Sequence, residues 1–136
     1  MRNVLIQFAV AFSAFMIIDL AWLGIVARNF YKDQLGPLMA QDTIWASAIA
    51  FYILFVIGIL YFSVNPGLNS GSFKQTLRNA ALYGFFTYMT YELTNYAVIE
   101  KWPAGLVIVD IVWGVILSTS VAAITFLVIT RLKKKH

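Results

Sequence analysis

The chain contains no cysteine, only three prolines and a single histidine, His136. The lack of cysteine excludes disulfides, thiolate metal sites and cysteine nucleophiles, but says nothing about the redox compartment. Charged residues are also scarce: they make up 12% of the chain, where about a quarter is usual in a soluble domain. With 61% hydrophobic residues and a mean hydropathy of +0.79, the composition indicates a membrane protein.

Four apolar runs reach the roughly 20 residues that a helix needs to span a bilayer. They lie near residues 4–27, 43–63, 77–98 and 105–130. The first run is longer than the core of a signal peptide and contains Asp19, so we interpret it as a retained helix. The sequence therefore predicts an all-α fold, in which residues 1–136 form one integral membrane domain, a bundle of four transmembrane helices.

Three short loops connect these runs. The first carries the aromatic pair Phe30 and Tyr31, the second turns at "NPG", and the third is "IEKWPA" with Trp102. Aromatic residues at helix ends are typical of the membrane–water interface, and we interpret all three side chains in that way.

The basic residues are distributed unevenly between the two sides of the predicted bundle. Seven of the ten fall at the termini and the second loop, which share one side: Arg2, Lys74, Arg78, Arg131, Lys133, Lys134 and Lys135. The positive-inside rule then predicts that both termini are cytoplasmic. The terminal "RLKKKH" is interpreted as a topology anchor that meets anionic headgroups, so membrane lipids are the expected partners and nucleic acid is not.

Three acidic residues, Asp19, Glu92 and Asp110, fall inside predicted helices. Their distances from the outer helix ends correspond to depths of roughly 8–12 Å. Tyr52 of the second helix is predicted at a similar level. Three helices therefore bring a carboxyl group to one layer in the outer half of the membrane, where ionisable residues are costly and commonly functional.

The neighbours of Glu92 on its helix are polar and aromatic. Residues three or four apart share a helix face, which places Tyr88 and Asn95 beside Glu92, with Tyr91 flanking them. These side chains are candidates for a polar stripe that faces the bundle interior.

Asp19 and Asp110 share a different pattern. Trp22 follows Asp19 by three residues, and Trp113 follows Asp110 by three, so each acid has a tryptophan on its own helix face. Taken singly, each tryptophan or tyrosine is more typical of packing or interface anchoring.

No Lys, Arg or His lies within the predicted spans, and three clustered carboxyl groups in a low dielectric cannot all be ionised. Either some remain protonated and hydrogen-bonded, or a cation occupies the site. The sequence therefore predicts a pocket that accepts a proton or a cation. The alternative is that each neutral acid only joins helices through hydrogen bonds, worth about 1 kcal/mol per contact.

The segments "DLAWLGIVARNFYKDQLG", "YELTNYAVIEKWP" and "VDIVWG" together resemble the signatures of a bacterial integral-membrane family known as domain of unknown function 2177. The resemblance covers nearly the whole chain with order and spacing kept. In that family the third-helix motif usually reads Asp-Leu-Thr-Asn, so Glu92 is longer by one methylene. The resemblance implies four spans in a bacterial inner membrane and no established activity.

Three functions stay open. The first is a protein that binds or transports a proton, a cation or a lipophilic ligand; because 136 residues leave little room for a complete pathway, this hypothesis includes a homo-oligomer. The second is an enzyme that modifies a lipid or isoprenoid by carboxylate acid–base chemistry. The third is an accessory subunit. The sequence predicts no cofactor and no metal site, because histidines and phosphate-binding loops are lacking.

Overall fold

The computed structural model describes residues 2–135, and His136 lies outside this range. Within it the fold is all-helical, as predicted, with no strand. The elements are α1 (Arg2–Ala21), a π-helical turn (Trp22–Val26), α2 (Arg28–Leu35), a 3₁₀ turn (Gly36–Leu38), α3 (Trp45–Ile59), a second π-helical turn (Leu60–Val64), α4 (Asn65–Ser70), α5 (Phe73–Val98) and α6 (Ala104–Lys135). Each π-helical turn continues the helix before it.

Three helical segments of the described chain are long and apolar enough to span a membrane: Asn3–Val26, Trp45–Ser70 and Ala104–Lys135. Helix α5 has 26 residues, which suffices in length. It does not meet the same hydropathy criterion, because its first turns carry Lys74 and Arg78 and its last turns carry Glu92 and Asn95. Hydropathy therefore supports three of the four predicted spans.

The apolar core lies between α1, α3, α5 and α6. Its largest fully buried side chains include Phe15, Val56, Ile59 and Leu117. Packing of this kind, rather than exclusion from water, holds helices together in lipid. Three partly buried aromatic side chains pack against this core and also face the candidate site: Tyr52, Tyr88 and Trp113.

Helix α5 packs more extensively against α6 than against any other element. The close approach depends on glycine, because a Cβ atom at Gly84 would collide with the carbonyl oxygen of Gly114, and one at Gly114 would collide with the ring of Tyr88. Small residues allow helix backbones to approach closely in membranes. This contact sets the position of the outer half of α5, which carries Glu92, relative to Asp110.

The chain does not turn at "NPG", contrary to the expectation from the sequence. Pro66 lies in the first turn of α4, where proline is tolerated, and the helix continues to Ser70. The amide of Asn79 donates a hydrogen bond of 3.1 Å to the carbonyl of Phe62, the group four residues before Pro66 that proline leaves without its usual donor. The reversal occurs instead at Gly71, which has a φ of 71°.

We predict that Gly84→Ala lowers the free energy of unfolding by about 1–3 kcal/mol, since the added methyl group meets backbone that cannot move aside cheaply. Thermal unfolding in detergent, followed by far-UV circular dichroism, measures this change. Gly24→Ala is the control: a Cβ atom there meets nothing within 4 Å, so stability should be unchanged or slightly higher. Equal losses in the two variants would show that the α5–α6 contact is looser than described.

Candidate functional site

A cavity of about 500 Å³ lies between α1, α3, α5 and α6, and α2 contributes one residue to its wall. Six of the nine residues selected from the sequence line it: Asp19, Tyr52, Tyr88, Tyr91, Asp110 and Trp113. The other three, Trp22, Glu92 and Asn95, are not among its lining residues. Phe51 and Phe55 of α3 extend the aromatic wall, so the cavity combines two carboxyl groups with rings.

Asp110 is buried on α6 and is bound from outside the helical bundle. The hydroxyl of Tyr31, on the short helix α2, donates a hydrogen bond to Oδ1 of Asp110. The indole Nε1 of Trp22 in turn donates to the Tyr31 hydroxyl at 3.0 Å. Burial, followed by the bond to Asp110, raises the pKa of the Tyr31 hydroxyl above its ordinary range, so this group remains a proton donor at neutral pH.

The two Asp-x-x-Trp patterns interlock through their tryptophans. The rings of Trp22 and Trp113 stack with centroids 4.3 Å apart and an angle of 9° between their planes. Nε1 of Trp113 points to Oδ1 of Asp19 on the other helix, at 3.4 Å. Each tryptophan therefore serves the opposite half of the site: Trp113 contacts the acid of α1, and Trp22 supports the acid of α6 through Tyr31.

Glu92 is completely buried on α5 and lies behind the cavity wall rather than in it. Nε1 of Trp102 donates a hydrogen bond of 2.7 Å to its Oε2, whereas Oε1 has no hydrogen-bond partner. The carboxyl group of Asp110 is close enough to interact with Glu92 directly. A buried polar atom without a partner is costly, and two adjacent carboxyl groups favour a shared proton.

Asp19 completes the set from the opposite side of the cavity. It is buried and close enough to Asp110 for the two carboxyl groups to interact electrostatically. Its one hydrogen bond in the described structure is the long contact with Trp113, while Asp110 has the short bond from Tyr31. The two carboxyl groups of the cavity therefore have different surroundings. No residue that lines the cavity between positions 2 and 135 is basic.

Asn95 is half-buried on α5 and outside the cavity, one turn beyond Tyr91, so the structure brings it to the edge of the site only. Within the described residues, acidic and histidine side chains do not come together in a group of three that could hold a metal ion.

Two important side chains, Tyr31 and Trp102, were interpreted from the sequence as interface anchors. Both instead point inward and bind buried acids. Trp102 is returned to the helix ends by Lys101, whose φ of 63° is uncommon for a residue other than glycine, so the sequence carries no signal of this turn. For Tyr31, the available signal was a hydroxyl-bearing ring shortly after a helix with a buried acid.

We predict that Tyr31→Phe lowers the free energy of unfolding by about 1–3 kcal/mol, because Asp110 loses its donor and the indole of Trp22 loses its acceptor. The measurement is thermal unfolding of the purified protein in detergent. Tyr96→Phe is the matched control, since Tyr96 lies on α5 with its side chain 54% exposed. If the two variants unfold at the same temperature, the Tyr31 bonds contribute nothing to stability.

A comparison with protein families gives one match: the model of a family described as predicted membrane protein, DUF2177, covers residues 4–127. The chain therefore belongs to this family, and the resemblance drawn from its motifs is confirmed. No curated protein and no solved structure matches the chain.

Proposed function

We propose that this member of the family binds, and moves between membrane leaflets or across the membrane, a lipophilic organic cation held in the cavity between α1, α3, α5 and α6. The observation that carries the proposal is the pairing of two buried carboxyl groups, Asp19 and Asp110, with walls that are otherwise mostly aromatic. The lining includes no basic residue in the described chain.

The sign of the ligand follows from the carboxyl groups. An ionised acid inside a membrane needs an opposite charge or several hydrogen-bond donors. Asp110 receives one donor from Tyr31, and Asp19 receives only the 3.4 Å contact from Trp113. A cation in the cavity would lie between these two acids and neutralise them, whereas an anion would meet like charge and no basic side chain.

The aromatic walls favour an organic cation over a small inorganic one. Tyr52, Tyr88, Tyr91 and Trp113 all line the cavity, and the faces of such rings attract ammonium and related groups. The volume of about 500 Å³ lies within the range of about 300–1,000 Å³ typical of small-molecule sites. The ligand class is therefore a monovalent cation with apolar substituents.

Glu92 supplies the exchangeable proton in this proposal. Its Oε1 has no partner, and Asp110 is its direct neighbour. Without ligand, a proton shared by Glu92 and Asp110 avoids two adjacent buried charges. When a cation reaches Asp110, that proton is no longer needed and can leave. Cation entry would thereby be coupled to proton release, and a second copy of the chain would complete the pathway.

An enzymatic function remains the second candidate, because Asp19 and Asp110 face one cavity in unlike surroundings. Carboxyl groups whose environments differ can act as general acid and general base, for example in the isomerisation of an isoprenoid. The enzyme function predicts that lipid purified with the wild type is chemically altered and that lipid from Asp110→Asn is not. A purely accessory role predicts that substitutions at the acids affect stability alone.

The same proposal places the chain in a bacterial inner membrane with four spans and both termini in the cytoplasm. The fourth span is α5, whose acid Glu92 is buried against α6 rather than exposed to lipid. Internal burial of its polar residues is what allows a helix of low hydropathy to span a membrane. The excess of basic residues at the α4–α5 turn and the end of α6 supports the orientation.

We predict that single cysteines report this topology directly, because the natural chain contains none. In intact cells, a membrane-impermeant maleimide should label the Gln41→Cys variant at once, since position 41 lies on the outer side. The Asn69→Cys variant should be labelled only after the inner membrane is permeabilised. Labelling of both positions in intact cells would exclude α5 as a span, and the reverse pattern would invert the orientation.

We predict that the protein in nanodiscs binds tetraphenylphosphonium, measured by equilibrium dialysis, and that Asp19→Asn and Asp110→Asn each weaken binding by about tenfold or more, equivalent to about 1.4 kcal/mol. The reason is the loss of one of two charges that face the cation. Asp33→Asn changes the net charge equally at an exposed position on α2 and should bind as the wild type does.

Triphenylphosphine oxide, a neutral aromatic molecule, should compete poorly for the same site. Equal loss in Asp33→Asn, equal binding of the neutral molecule, or no binding by the wild type would each overturn the cation site. In liposomes, uptake of the cation driven by a pH gradient should be abolished by Glu92→Gln; uptake that is unchanged would separate binding from proton coupling.

A further inference from the structure

A second groove, of about 390 Å³, lies at the opposite end of the bundle, where the turn between α4 and α5 meets the end of α6. Its apolar wall is formed by Leu68, Phe73 and Phe126. The rings of Phe73 and Phe126 are 5.3 Å apart and tilted by 51°. Lys133 and Lys134 stand at its edge, so the groove is apolar within and cationic at one end.

The charge at this end of the molecule has no counterpart in the chain. Six basic residues of the described range belong to it: Lys74, Arg78, Arg131, Lys133, Lys134 and Lys135. The sequence contains no Asp or Glu between Asp42 and Glu92, and none after Asp110. Any anion that compensates these side chains must therefore come from outside the protein.

From this combination we propose that the groove binds one anionic phospholipid, with its phosphate at Lys133 and Lys134 and the start of an acyl chain against Phe73, Phe126 and Leu68. Basic pockets between helices at the membrane surface are suited to anionic lipid headgroups. The first turn of α5 begins at Phe73, so the partial positive charge of that helix end adds to the attraction.

The arrangement differs from a diffuse basic surface, because only two of the exposed basic residues at the end of α6 line the groove. Lys133 and Lys134 do so, whereas Arg131 and Lys135 do not. All four side chains are exposed. The chain thus offers two pairs of substitutions that remove the same charge from one helix turn and differ only in their position relative to the groove.

Native mass spectrometry of the protein released from micelles tests the proposal, with phosphatidylglycerol and phosphatidylcholine supplied in equal amounts. The wild type should retain phosphatidylglycerol in preference. The double variant Lys133→Gln/Lys134→Gln should retain about tenfold less. The double variant Arg131→Gln/Lys135→Gln should retain it within about twofold of the wild type, and both variants should first be shown to unfold at the wild-type temperature.

Two further arms distinguish a lipid from its phosphate alone. Leu68→Gln should reduce phosphatidylglycerol retention without changing the charge, and added glycerol 3-phosphate should not displace the lipid. Equal losses in the two double variants would show diffuse charge attraction and overturn the site, as would displacement by glycerol 3-phosphate or equal retention of phosphatidylcholine. Because these measurements involve neither Asp19 nor Asp110, their outcome is independent of the cation cavity.

Discussion

The structure depends on one constraint: three carboxyl groups are buried among apolar helices, and no basic residue lies beside them. Each must be stabilised by a hydrogen-bond donor, a proton or an external cation. The chain meets this need with aromatic donors, namely the indoles of Trp102 and Trp113 and the hydroxyl of Tyr31. Because such donors carry no formal charge, they satisfy an acid without neutralising it, which leaves the site able to take up a cation.

The same rings form the walls of the cavity. Trp22 and Trp113 stack face to face while each contributes an N–H group to a hydrogen bond. A ring held in this way has a fixed orientation, so its face is presented to the cavity in a defined direction. The acids and the rings are therefore one construction, in which the polar edges of the aromatic residues orient their apolar faces.

Part of this site could be predicted from local sequence. Helix periodicity placed each tryptophan on the face of its aspartate, and counting along the helices put Asp19 and Asp110 at compatible depths, where both line the cavity. The all-helical fold followed from apolar run lengths. The limits arose where a side chain crosses between elements: Tyr31 reaches Asp110 across 79 residues of sequence, and no local period reports such a contact.

The position of Glu92 and the path through Pro66 show two other limits. The depth of Glu92 could be counted along its helix, but whether it faces the cavity or lies behind its wall depends on how closely α5 approaches α6 at Gly84 and Gly114. Proline predicted a turn, yet the helix continues because Asn79, 17 residues from Phe62, supplies the missing donor. Both outcomes are decided by a neighbouring helix.

The π-helical turn from Trp22 to Val26 has a consequence for how this chain can change during evolution. A π turn holds one residue more than the α-helical turn it replaces, and Tyr31 follows it by only five positions. Deleting a single residue there would restore the regular helix and rotate everything that follows by about 100°, carrying the Tyr31 ring away from α6. Length variation between α1 and α2 should therefore be strongly restricted, whereas insertions after the 3₁₀ turn at Leu38 would leave the ring in place.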